Sequence, residues 1–247
     1  METSKAYSFA LLTINEKKMH LLIPAAGMGR RMGSDRNKLL LTLRSKPLIA
    51  WTMLAAVAAS QIDWIGIIAQ PTDEAYLQEL LAALSLTKKV QIIYGGSTRQ
   101  ESVYNGLQGL PDTAERVLIH DGARCLATPE LLNRCAEAIM HCPGLIAAVP
   151  VKDTIKIVDQ DLLIQDTPDR SRLWAAQTPQ AFDVKILKSC HDRGVRQGWE
   201  VTDDAALFEK CGLPVKIVAG EETNLKITTP VDLAIAEFIL AQRLDNG

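Results

Sequence analysis

A chain of 247 residues, 47% apolar and 23% charged, can bury a substantial core and has the make-up of an ordinary soluble globular protein. Its formal net charge of −2 supplies no global field for nucleic acid or an anionic membrane, and 5% aromatic content leaves little for base stacking. Five scattered cysteines without a C-x-x-C pair indicate neither a disulfide framework nor a zinc site, so a reducing cytoplasm is the expected location.

Residues 1–18 hold a weak apolar patch, YSFALLTI, without a basic leader or a small-residue cleavage site, and Glu2 and Glu16 argue against a transit peptide. The segment reads as a flexible N-terminal extension, with Met19 a candidate start. Continuous β-branched runs then recur at 20–25, 63–70, 90–94, 116–120, 145–151 and 214–220, the pattern of strands buried on both faces. Helical segments lie between and after them. PLIAWTMLAAVAAS (47–60) opens on Pro47 and falls short of the ~20 apolar residues that would span a bilayer, so no membrane partner is expected. In STRQESVYNGLQGL (97–110), Ser97 with Gln100 three residues on gives a capping-box pattern. The segments at 128–139 and 229–244 each open Thr-Pro, an N-cap followed by proline at the first helical position.

This alternation predicts an α/β, Rossmann-like fold: a mostly parallel sheet with helices on both faces, in a single domain over 19–247. The segment 153–167 breaks the rhythm with two short strands around Asp159-Gln160-Asp161. Such a hairpin is marginal alone and needs a partner surface. It reads either as a hairpin folded back on its own domain or as a protruding arm, at about 152–173, that embraces a second subunit.

Chemistry concentrates after the first strand, in PAAGMGRRMGSDRNK (24–38). A Walker loop would need Lys-Ser or Lys-Thr after its glycines, and the dinucleotide fingerprint would need glycine where Met32 stands. Neither template fits. What remains is a small-residue turn, Ala25-Ala26-Gly27 with Gly29, where backbone N–H groups can approach a phosphate or a base. Arg30, Arg31, Arg36 and Lys38 follow with one Asp among them, enough charge for a triphosphate. Its place at the carboxyl end of a strand is where open α/β sheets bind ligands.

The motifs PAAGMGRRMG, Lys38, GGSTRQESV, HDGAR, PVKDTIK, DRSRLWAAQTPQAF, VTDDA and NLKIT stand in one order over residues 20–243. Each is weak alone, but in that order and spacing the chain resembles the 2-C-methyl-D-erythritol 4-phosphate cytidylyltransferase family of nucleotidyltransferases. The resemblance implies transfer of a cytidylyl group from CTP to methylerythritol phosphate with Mg²⁺. It implies Arg31, Lys38 and Lys226 as catalytic cations and Asp121 as the metal ligand. Ala25, Ala26, Gly27, Gly29, Gly96, Ser102 and Gly122 would bind the nucleotide. Arg124, Thr154, Arg170 and Thr178 would bind the acceptor, with Thr154 and Arg170 reaching in from the neighbouring subunit's arm of a homodimer. Asn37 stands where relatives carry proline and implies a more mobile loop. Gly122 and Cys125 also depart from the usual pattern, and Ser97 stands where relatives often carry Asp. His120 reads as a strand-end residue rather than a catalyst.

Two other readings are weaker. Ribitol 5-phosphate cytidylyltransferases tend to read L-A-G-G and H-D-x-V-R where this chain has PAAG and HDGAR. A non-catalytic nucleotide sensor would have lost one of Arg31, Lys38, Asp121 or Lys226, and all four are present.

Overall fold

The computed structural model describes residues 19–27 and 37–245. The 1–18 segment, Gly29, Arg30, Arg31 and Arg36 lie outside them.

Among the described residues eleven strands and seven α-helices follow one another in chain order. Seven strands form one sheet: β1 (Met19–Pro24), β4 (Ile62–Ala69), β5 (Lys89–Tyr94), β6 (Arg116–Ile119), β7 (Gly144–Pro150), β10 (Trp174–Asp183) and β11 (Lys216–Ala219). Their order is β11-β7-β10-β6-β1-β4-β5. All pairings are parallel except the two made by β10, which runs antiparallel to both β6 and β7. Six of these strands are the six β-branched runs. The seventh, β10, has no such signal, because Gln177, Thr178, Pro179 and Gln180 interrupt it, yet Gln177, Thr178 and Gln180 are all buried.

Side-chain alternation sends neighbouring residues of one strand into different cores. Leu21 and Ile23 of β1, with Ile65, Ile67 and Leu118, pack beneath helices α1 (Leu48–Ala58), α2 (Glu74–Leu84) and α4 (Pro129–Ala138). Leu22, with Trp64, Ile68, Val117 and Ile119, faces α3 (Arg99–Gln108), α5 (Val184–Gln197) and α6 (Asp204–Lys210) on the other side. Each fully buried Leu or Ile contributes about 1.5–3 kcal/mol, so a one-residue slip of β1 would be heavily penalised. A third cluster joins α7 (Pro230–Asp245) to Leu43 of β2 (Thr42–Leu43), which pairs with β3 (Lys46–Pro47), and includes Cys125, Leu126 and Ile227.

The helix caps test the sequence reading. Thr128 Oγ1 accepts from Leu131 N at the start of α4, with Pro129 at the first position as expected. Thr229 Oγ1 likewise accepts from Asp232 N. The α3 cap is shifted by one residue: Thr98, not Ser97, accepts from the amide three residues on, and Glu101 reaches back to Ser97 N at 2.7 Å. The box is Thr98-x-x-Glu101. A carboxylate reaches a backbone N–H as a charged acceptor, which the neutral Gln100 amide cannot match.

The polar turn of the hairpin is as expected. β8 (Ile157–Val158) pairs antiparallel with β9 (Ile164–Asp166), and Asp159 Oδ1 accepts from Asp161 N and Leu163 N. The hairpin does not fold back: Ile157, Val158, Leu162, Leu163 and Ile164 are all exposed.

Candidate active site

The ends of β1 and β6, the middle of β10 and the segment 224–227 converge on Asp121. β1 runs into Ala25, whose N–H donates to Ile68 O at 2.7 Å and whose carbonyl accepts from Asn37 Nδ2 at 2.7 Å. Ala25 therefore commits both backbone groups to the fold, while Ala26 is half-buried and Gly27 exposed. The loop before Asn37, for which the sequence implied mobility, lies outside the described residues, while Asn37 itself is held in place. Its Nδ2 also donates to Asp73 Oδ2 and its Oδ1 caps the 3-10 turn Lys38–Leu40 through Leu39 N, which fixes where Lys38 begins. Proline would fix the backbone by its ring; asparagine fixes it by three hydrogen bonds.

His120 and Asp121 leave the end of β6. The His120 ring is buried, with Nε2 3.2 Å from Arg124 O and Nδ1 3.1 Å from Thr178 Oγ1. A carbonyl only accepts, so the proton sits on Nε2, and Nδ1 accepts from the Thr178 hydroxyl. Thr178 Oγ1 in turn accepts from Asp121 N at 3.0 Å. Burial pushes the imidazole down to about 4, so it is neutral and holds the loop as a hydrogen-bond relay. Gly122 follows in close packing: an added Cβ would lie 2.9 Å from Leu39 Cδ1 and 3.1 Å from Ile49 Cδ1, so those methyls would have to shift. Its N–H donates to Pro24 O and its carbonyl accepts from Thr52 Oγ1.

The Asp121 carboxylate lies between two cations. Lys226 Nζ is 2.7 Å from Oδ2 and Arg99 Nε is 3.5 Å from Oδ1. Desolvation raises its pKa, but Arg99, Lys226 and Arg124 outweigh that and hold it down at about 2, so the group is anionic at neutral pH. The segment carrying Lys226 is bound to the Asp121 loop on both sides: Arg124 Nη1 donates to Asn224 O at 2.6 Å and Ile227 N donates to Ala123 O at 2.9 Å. Asn224, fully buried, adds bonds from Nδ2 to Thr178 O and Gln177 Oε1. Lys38 Nζ donates to Ile227 O at 2.7 Å, so two lysines 188 residues apart meet around adjacent residues of one segment.

Beyond the end of β5, Ser102 is buried on α3 and its Oγ accepts from Gly96 N at 3.0 Å. An added Cβ at Gly96 would fall 2.3 Å from the exposed Glu101 side chain, which would have to give up its bonds to Ser97 to make way. Gln70 Nε2 donates to Ala26 O at 3.2 Å and ties this wall to the first loop. Lys38, Gly96, Ser102, Asp121, Gly122, Arg124, Thr178 and Lys226 thus lie along one edge of the sheet. Thr154 and Arg170 do not join them: both are exposed beside the hairpin, Arg170 Nη1 donates to Lys152 O, and among the described residues no hydrogen bond links either to that group.

These contacts already restrict the chemistry. Among the described residues no group of three His, Cys, Asp or Glu could hold a metal ion. One anionic carboxylate suits a hard divalent cation that takes its remaining oxygens from phosphates and water. With the geometry in place, comparison with known proteins is informative. The model of the 2-C-methyl-D-erythritol 4-phosphate cytidylyltransferase family, IspD, matches residues 19–242.

The chain belongs to that family.

The IspD relative from Nostoc punctiforme is 74% identical over 225 residues, covering 91% of this chain and 99% of that protein. The relative from Microcystis aeruginosa is 71% identical, covering 92% of this chain and all of that one. Among solved structures, the 4-diphosphocytidyl-2C-methyl-D-erythritol synthase of Anaerococcus prevotii is similar with a TM-score of 0.82 at 32% identity, covering 92% of this chain and 100% of that one. The cytidylyltransferase of Thermus thermophilus is similar with a TM-score of 0.71 at 30% identity, covering 90% and 98%. An IspD fold thus accounts for the sheet and helices described above.

Two residues escaped the sequence reading. Arg99 sits inside GGSTRQESV and Asp204 inside VTDDA, and the two are joined at 2.9 Å through Nη1 and Oδ2. Their signal was only a charged residue at the first position of a helix, and a partner more than 100 residues away has no local signature.

Proposed function

We propose that the chain transfers the cytidylyl group of CTP to 2-C-methyl-D-erythritol 4-phosphate and releases pyrophosphate, a step in isoprenoid precursor synthesis. Family membership over 19–242 supports this, and the observation that carries it is Ile227, whose carbonyl holds Lys38 beside Lys226 and Asp121. An oxygen of the acceptor phosphate attacks the α-phosphorus in line as the bond to the β-phosphate oxygen breaks. Charge gathers on the non-bridging oxygens of the pentacoordinate state, where Lys38 and Lys226 oppose it, with Arg31 the third cation by resemblance. No covalent protein nucleophile is needed. Asp121 is the residue that would hold Mg²⁺, which when bound would neutralise the triphosphate and orient the α-phosphate.

Backbone groups of Ala26, Gly27, Gly29 and Gly96, with Ser102 and the packed Ala25 and Gly122 behind them, form the cytosine and ribose wall in this reading. Fixed donors and acceptors can tell cytosine from uracil, because the 4-amino group inverts the pattern. Arg124 and Thr178 face the acceptor from the same subunit. The Thr178 hydroxyl already donates to His120, so it offers a substrate hydroxyl an acceptor lone pair rather than offering a phosphate a donor. The partner subunit's Thr154 and Arg170 complete the pocket, the guanidinium fork matching a phosphate. This is why the hairpin stands exposed instead of packing on its own sheet. A homodimer with shared sites follows.

Purified protein supplied with Mg²⁺, CTP and either methylerythritol phosphate or ribitol 5-phosphate tests the assignment through pyrophosphate release. Faster release with methylerythritol phosphate is expected. Equal or faster release with ribitol 5-phosphate would overturn the acceptor assignment while leaving the chemistry intact.

A further inference from the structure

Behind Asp121 lies a row of charged groups that the transfer chemistry does not use. Arg99, first residue of α3, bridges two carboxylates: Nη1 is 2.9 Å from Asp204 Oδ2 and Nε is 3.5 Å from Asp121 Oδ1. Asp204, first residue of α6, is the inner end, its side chain 1% exposed against 27% for Arg99 and 11% for Asp121. Its second oxygen, Oδ1, is 3.4 Å from Nε2 of the fully buried His191, whose ring stacks on Tyr104 at 5.6 Å. Asp203 adds to the field around Arg99, but its oxygens cap α6 through Ala206 N and accept from Gln180 Nε2.

These distances and exposures set a direction. Coulomb attraction grows as separation shortens and as water is excluded, and both conditions favour the Arg99–Asp204 pair over Arg99–Asp121. A divalent cation approaching Asp121 must compete with whatever cation already faces that carboxylate. Lys226 can leave, since its side chain is 41% exposed on a flexible stem. Arg99 is anchored inside the protein and cannot.

We propose that Asp204 is a positioning residue that draws the Arg99 guanidinium inward and so keeps the Asp121 carboxylate open to the divalent cation. The inference rests on Asp121 being the cation ligand. It gives the VTDDA motif a role: its second Asp tunes how firmly the cation is held, without touching substrate. Replacing Asp204 by Asn keeps the side-chain volume and removes the anchor. Among the described residues Arg99 is then left with Asp121 as its one carboxylate within ion-pair distance, and cation binding weakens. Removing Arg99 as well takes away the competitor and restores binding.

The test is Mn²⁺ binding to the full chain with CTP and no acceptor, free Mn²⁺ being read by electron paramagnetic resonance against CTP alone. Asp204→Asn is expected to bind Mn²⁺ about fivefold more weakly than the unsubstituted chain, the scale of one partly exposed ion pair. Arg99→Gln combined with Asp204→Asn should return to within about twofold. In turnover with Mg²⁺, the single variant should need more Mg²⁺ for half-maximal rate while kcat at saturating Mg²⁺ is kept. Unchanged Mn²⁺ affinity in Asp204→Asn, or a double variant as weak as the single, would overturn the anchor role. Should Asp204→Asn fail to fold, the double variant still decides: it carries no charge at either position, and affinity far below that of the unsubstituted chain contradicts the proposal. Asp121→Asn separates the premise, because Mn²⁺ affinity unaffected by that change would remove Asp121 as the ligand and the inference with it.

Discussion

In the proposed reaction Lys38 acts from a fixed position, because its Nζ donates to Ile227 O at 2.7 Å. That bond sets the ammonium near Lys226 and Asp121, where its charge can oppose the charge that gathers on the α-phosphate oxygens. Lys38→Ala should therefore lower turnover about 10²–10³-fold while changing CTP affinity much less. Pre-steady-state rates and equilibrium CTP titration check this, and unchanged turnover would reject Lys38 as a transition-state cation. His120 makes a second prediction at this scale. Its folded pKa of about 4 lies below the unfolded value near 6.5, so the unfolded chain binds the extra proton between those limits and stability falls as pH falls through them. Between pH 7 and pH 5 the metal-free protein should lose about 2 kcal/mol of stability from this ring alone. Urea denaturation at the two pH values measures it, and a His120→Gln chain with an equally steep slope would show that another group is responsible.

The exposed hairpin carries the prediction for single elements. β8 and β9 bury almost nothing within their own chain, and Leu162, Leu163 and Ile164 are 79%, 64% and 62% exposed. Deleting residues 155–165 should therefore leave the sheet folded and give a monomer in sedimentation. A dimer that persists would contradict the arm's role. Element by element, the six strands with unbroken β-branched runs were legible because burial on both faces leaves that mark in any sequence. The antiparallel β10 was not, since its buried polar side chains bond to the site loops and read locally as a turn. Asn37 was legible only in part: the missing proline was visible, while the three bonds that hold Asn37 depend on Ala25, Asp73 and Leu39 being brought near. The site lysines and Asp121 could be named from motif order alone. Arg99 and Asp204 could not, because what makes them matter is a pairing across two helix starts.

For the whole molecule, sharing of sites between subunits can be tested by mixing defects. In a mixed dimer of Lys38→Ala and Arg170→Ala chains, one site collects both lesions and the other collects neither. Co-expression should therefore recover about a quarter of the activity of the unsubstituted dimer, as random pairing in a two-fold assembly requires. Recovery no greater than the sum of the separate variants would place every site within one chain.

β10 joins these scales, since one strand runs from the hairpin at Trp174 to the site at Thr178. Trp174 sits where the arm leaves the sheet and is 42% exposed, whereas Trp64 is buried at 4%. An indole in that position is a reporter that needs no label. In the proposed dimer the arm's partner would displace water from the ring and shift its fluorescence to shorter wavelength, so the concentration at which two chains pair can be read from the protein's own light.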